Sequence, residues 1–142
     1  MRTLAIDLGT KRVGLALSDQ GGKFATPFDV LQITSLRQAI DLVKPILQKE
    51  GVERIVVGLP LNMDGTLGPA ARQTIDWAKQ LNHPVIFVDE RLSSFAAEQD
   101  LIDRKRAGEK LTRKKKKEQL DALAAAQFLQ AFLDGKLQEF HV

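Results

Sequence analysis

The stretch TLAIDLGTKRVGLALS, residues 3–18, decides the fold. Alternation over 3–8 sets Leu4, Ile6 and Leu8 on one face of a strand, with Ala5 and Asp7 on the other. Gly9-Thr10-Lys11-Arg12 allows only a tight turn, so residues 13–18 return as an antiparallel second strand. Gly21 and Gly22 mark the next turn. Residues 24–33 then form a third strand, which Pro27 places at a sheet edge because proline gives no N–H to a ladder.

Downstream the period changes. Ser35 and Gln38 fit a capping box, and Leu36, Ile40, Val43 and Leu47 recur at helical spacing up to Gly51, with a kink expected at Pro45. The run IVVG at 55–58 is a strand buried on both faces. Residues 61–68 make a loop, and Pro69 opens a second helix reaching about 81. Residues 85–88 form another buried strand. Ser93 or Ser94 caps a third helix to about 103, and residues 118–133, rich in leucine and alanine, form a final helix closed by Gly135. This order predicts a single α/β domain over 1–142. Its core is a mixed five-stranded sheet, a three-stranded antiparallel meander plus two parallel strands, flanked by helices.

Composition narrows the chemistry. The chain lacks cysteine, which removes disulfides, thiolate zinc sites and a cysteine nucleophile, and its two histidines, His83 and His141, cannot build an imidazole-rich centre. No apolar run approaches the roughly 20 residues of a membrane span, and a start bearing Arg2 and Asp7 is no secretory signal, which together predict a cytoplasmic protein. The net charge of +3 hides a polarised distribution. Residues 104–117 hold nine basic side chains against the single acid Glu109, a local charge of +8 that leaves −5 for the rest. Four consecutive lysines, Lys114, Lys115, Lys116 and Lys117, repel one another, so 104–117 is expected to be a flexible basic segment suited to a polyanion.

Three carboxylates stand out against this background. Asp7 lies near the carboxyl end of an apolar strand, where aspartate is disfavoured; hydrogen bonds from the following turn or a pairing with Arg12 offer a purely structural explanation. Asp89-Glu90-Arg91 follow the strand VIFV at the sheet end where open α/β sheets place their sites, although a surface turn with an acid–arginine pair has the same signature. Asp121, Ala125, Phe128 and Phe132 share one stripe of the last helix, so Asp121 faces the sheet; the helix dipole gives it an alternative role. Gathered carboxylates repel unless a cation joins them. Oxygen-only ligation selects Mg²⁺ or Mn²⁺, the ions that activate water in phosphodiester cleavage.

The blocks IDLGTKRVGLALSD (6–19), VVGLPLNMDG (56–65), VDERLSS (88–94) and DALAAAQFL (121–129) together resemble the YqgF family over nearly the whole chain. Its members are described as Holliday-junction-resolvase-like enzymes and as nucleases that mature the 5′ end of the small-subunit ribosomal RNA precursor. The resemblance implies an RNase H-like fold, a carboxylate-bound divalent metal and a nucleic-acid substrate, either structured RNA or branched DNA. Asp7, Glu90 and Asp121 match the family's acids, with the choice between Asp89 and Glu90 left open because one residue of register reverses a strand's faces. Lys11, Arg12 and Arg91 are candidate phosphate contacts, and Lys114–Lys117 candidate sources of sequence-independent affinity. Asn62 and Asp64 are either substrate-contacting groups or turn residues around Gly65. A junction resolvase needs two active sites, so both a monomer and a homodimer are open.

Two other readings compete. Asp7-Leu8-Gly9-Thr10 resembles the phosphate-binding turn of sugar kinases and actin-like ATPases, but those clamp nucleotide between two copies of the fold, and one fits here. A non-catalytic nucleic-acid-binding module is the second alternative; inward-facing acids speak against it, because they repel phosphate unless a metal intervenes.

Overall fold

The computed structural model describes residues 1–89, 113–137 and 139–140, with the backbone alone over 113–120. β1 (Thr3–Leu8) and β2 (Arg12–Ser18) form the expected hairpin, with Leu4 opposite Leu17 and Asp7 opposite Gly14. β3 (Ala25–Gln32) extends the meander at the sheet edge, as Pro27 required. A register shift between Leu15 and Ala16 pairs them with Asp29 and Pro27, so Phe28 is the extra residue of a bulge.

Helix α1 (Leu36–Lys49) leads to β4 (Arg54–Leu59), parallel to β1. Helix α2 (Pro69–Lys79) leads to β5 (Val85–Asp89), parallel to β4. Ser35 caps α1 by accepting the Gln38 N–H at 3.1 Å. The Gln38 side chain reaches back to the Thr34 N–H at 2.6 Å, one residue earlier than a strict capping box. The helix runs on through Pro45 and buries Ala39, Ile40, Val43 and Leu47. The Trp77 indole N–H donates to the Leu36 carbonyl at 2.9 Å, tying α2 to the start of α1.

The last described helix is α3 (Arg113–Leu133), followed by β6 (Glu139–Phe140) antiparallel to β5. The sheet order is β3-β2-β1-β4-β5-β6, six strands rather than the expected five. Two residues are too few to produce a readable alternation, which is why β6 escaped the sequence reading. A second correction concerns the lysines. α3 starts at Arg113, not at 118, so the backbone of Lys114–Lys117 belongs to the last helix. Lysine's high helix propensity outweighs the unfavourable placing of positive charge at a helix N-terminus. The predicted helix following Ser93 or Ser94 lies outside the described residues. No described helix is long and apolar enough to cross a membrane.

The sheet separates two cores. On one side Leu4, Ile6, Val13, Leu15 and Leu17 pack with Ile40, Val43, Trp77 and Phe87 under α1 and α2. On the other, Ala5, Ala16, Val56 and Val88 meet Ala125, Ala126, Phe128 and Leu129 of α3.

Candidate active site

The turn after β1 is set by Gly9. Its N–H donates to the Arg12 carbonyl at 2.9 Å, and a Cβ at this position would lie 2.6 Å from that carbonyl oxygen. Only glycine closes so tight a return. The Lys11 carbonyl accepts the Ile33 N–H at 2.9 Å, which pins the turn to the end of β3. Lys11 is exposed and Arg12 half-buried at the mouth of the hairpin.

A second glycine brings the distant helix in. A Cβ on Gly14 would fall 2.2 Å from the Asp121 carbonyl oxygen and 3.1 Å from the Ala122 nitrogen, so the α3 backbone lies directly on β2. Gly14 is the cross-strand partner of Asp7, and directly opposed residues share a face. Asp7 therefore stands on the α3 side, level with Asp121. Together Asp7, Gly9, Thr10, Lys11, Arg12 and Asp121 line one cleft of about 330 Å³ at the carboxyl end of β1. Both carboxylates are half-buried.

Within the cleft the Arg12 Nε–H donates to Asp121 Oδ2 at 2.7 Å, with the two side chains 30% and 26% exposed. This charge-assisted pair was not anticipated: the sequence suggested Arg12 as a partner for Asp7 or for phosphate. Gly14 was missed as well, although an isolated glycine within a strand is a recognised sign of close backbone approach.

The other expected residues are placed as follows. In β5, Phe87 belongs to the core under α1 and α2 and Val88 to the core under α3, so Asp89 shares the face of Phe87, away from Asp7. Glu90 and Arg91 lie outside the described residues, as do the side chains of Lys114–Lys117. Among the described residues no three His, Cys, Asp or Glu side chains are grouped to hold a metal ion. Asn62 sits in the loop after β4, at the same end of the sheet, but does not line the cleft. Its side-chain amide donates to Thr66 Oγ1 at 3.0 Å, and its backbone carbonyl accepts the Gly65 N–H at 2.8 Å. Asp64 Oδ1 accepts the Thr66 hydroxyl at 2.6 Å and its N–H at 3.0 Å. Both residues build the loop around Gly65, whose φ of 85° demands glycine.

Residues 1–135 match the family model described as RuvX: Holliday junction resolvase. The chain belongs to the RuvX family. A relative from Syntrophomonas wolfei, named "Putative pre-16S rRNA nuclease", is 44% identical over 139 residues, 95% of each chain. One of the same name from Geobacillus thermodenitrificans is 42% identical over 142 residues, 96% of this chain and 99% of that one. Among solved structures, Thermus thermophilus RuvC in complex with a Holliday junction substrate superposes with a TM-score of 0.58 at 18% identity, covering 99% of both chains. That likeness establishes a shared RNase H-like fold, in agreement with the strand order found here.

Proposed function

We propose that this RuvX-family chain is a divalent-metal-dependent nuclease. Its substrates are structured nucleic acids: the 5′ end of a pre-16S rRNA precursor, or branched DNA of the Holliday-junction kind. The observation that supports this reading best is the cleft where Asp7 and Asp121, far apart in sequence, meet beside Lys11 and Arg12. The names carried by full-length relatives point the same way.

The donor set fits a hard cation, since the cleft offers carboxylate oxygens and the chain has no thiolate. Asp7 and Asp121 would hold Mg²⁺ or Mn²⁺, with Glu90 as the third acid. Asp89 shares the face of Phe87, away from Asp7, which favours Glu90 as that acid. A bound ion would supply an acidified water and would stabilise the leaving oxygen. The chain's own groups do the rest. Lys11, Arg12 and Arg91 hold the phosphates flanking the scissile bond, Lys114–Lys117 add affinity independent of sequence, and Asn62 keeps a loop of the same rim in shape. A nucleic-acid substrate of this kind places the protein in the cytoplasm.

The test is cleavage of a pre-16S rRNA leader and of a four-way DNA junction, in Mn²⁺ and in EDTA, by wild type and Asp7→Asn. Removing a metal-holding carboxylate should cost several kcal/mol of transition-state stabilisation, about 10³-fold in rate. The two substrates separate RNA from DNA specificity. Cleavage indifferent to both EDTA and the substitution overturns the proposal; binding without cleavage under any condition favours a non-catalytic module.

A further inference from the structure

The Arg12–Asp121 pair raises a question that the nuclease reading alone leaves open. A carboxylate proposed to hold a metal ion has one oxygen engaged by an internal guanidinium at 2.7 Å. The same guanidinium lines the cleft in which substrate phosphate would sit. Resting on the proposed metal site, we infer that Arg12 is a positioning residue for Asp121 and an exchangeable stand-in for the divalent ion. In the metal-free protein it neutralises and orients the Asp121 carboxylate. When the ion takes that oxygen, the guanidinium is released to the substrate backbone.

Three features of the structure support the exchange. First, the pair is singly connected through Nε, leaving the terminal nitrogens of the guanidinium outside this bond, whereas a permanent structural pair gains most from the bidentate fork. Second, at 30% and 26% exposure the two side chains are accessible to ions and water, in the regime where an ion pair is weak enough to be outcompeted. Third, Arg12 is anchored at its backbone by the Gly9 N–H and by the β2 ladder, so its side chain can change partners without disturbing the turn. The Asp121 backbone is fixed against Gly14, so release of Arg12 does not withdraw the carboxylate from the cleft. Metal and phosphate binding are thereby coupled: each ion bound makes available one cation for the polyanion, and reciprocally nucleic acid that captures Arg12 favours metal on Asp121.

Isothermal titration of Mn²⁺ into wild type and Arg12→Gln, without nucleic acid, tests the exchange directly. Arg12→Gln should bind Mn²⁺ about fivefold or more tightly, because no cation competes for Asp121. The same variant should lose the increase in affinity for an uncleavable junction or RNA that Ca²⁺, used in place of Mn²⁺, produces in wild type. Arg12→Lys should restore part of that increase. Unchanged or weaker Mn²⁺ binding by a folded Arg12→Gln overturns the inference while leaving the metal site standing. Absence of Mn²⁺ heat in both proteins overturns the metal site and the inference together. Wild type alone provides a second readout should the variant fail to fold. The Arg12 Nε–H resonance should show a hydrogen-bonded shift in EDTA that moves towards solvent-exposed values as Mg²⁺ saturates, and a resonance that Mg²⁺ leaves in place at saturation overturns the exchange.

Discussion

The two faces of the hairpin differ in the size of what they carry. Towards α1 and α2, β1 and β2 present Leu4, Ile6, Val13, Leu15 and Leu17. Towards α3 the alternate positions are Ala5, Asp7, Gly14 and Ala16. Large aliphatic side chains hold α1 and α2 at a distance and fill a core. Small ones let the α3 backbone touch β2, which is how a residue of the last helix reaches the level of an acid on the first strand. Stability and chemistry are thus divided between residues that alternate along the same two strands.

The largest effect expected from disturbing this division is on the stability side. Ile6→Ala leaves a cavity in the α1–α2 core and should cost about 4 kcal/mol in denaturant unfolding. Its Mn²⁺ affinity, measured on the folded fraction, should match wild type. Gly14→Ala should cost less stability but disturb the site. The added methyl meets backbone that has no rotamer to yield, and overpacking of this kind costs about 2 kcal/mol. A retreat of α3 on the order of 1 Å lowers a catalytic rate by about 100-fold. The decisive comparison is Mn²⁺ affinity in both variants; a Gly14→Ala protein that binds metal normally would show that helix approach does not set the site.

The same asymmetry explains what was legible beforehand. Strand periodicity is local, so the hairpin, the edge position of Pro27 and the Ser35 cap were readable, as was the inward stripe of Asp121, Ala125 and Phe128. The placement of Asp7 and Asp121 on one cleft followed from those two patterns combined. Contacts between elements were harder. The Arg12–Asp121 pair depends on the height at which α3 crosses β2, and that height is fixed by Gly14 rather than by any feature of the helix. The face of Asp89, away from Asp7, also awaited the assignment of Phe87 and Val88 to opposite cores.

A smaller effect tests whether the α1 side is tuned at its helix start. Ser35→Ala removes the acceptor for the Gln38 N–H and should lower stability by about 1 kcal/mol, without altering cleavage, since α1 contributes no residue to the cleft. Thermal melts and the cleavage assay on one preparation separate the two quantities.

The smallest effect comes from an acid on neither face. Asp19, in the turn between β2 and β3 at the far end of the sheet, accepts the Phe24 N–H at 2.9 Å and the Lys23 N–H at 2.8 Å, and these backbone hydrogen bonds hold its carboxyl below the usual aspartate range. A depressed native pKa means that the unfolded chain takes up a proton first. The stabilisation is therefore complete above the unfolded value of about 3.9 and fades as pH falls through the native one. The melting difference between wild type and Asp19→Asn should be constant from neutral pH to about pH 5 and shrink below about pH 4. Mn²⁺ affinity should be the same in both proteins, because Asp19 is tied to its own turn and lies across the sheet from the cleft. A metal response at Asp19 equal to that at Asp7 would mean that bulk negative charge, rather than the convergence of β1 with α3, attracts the ion.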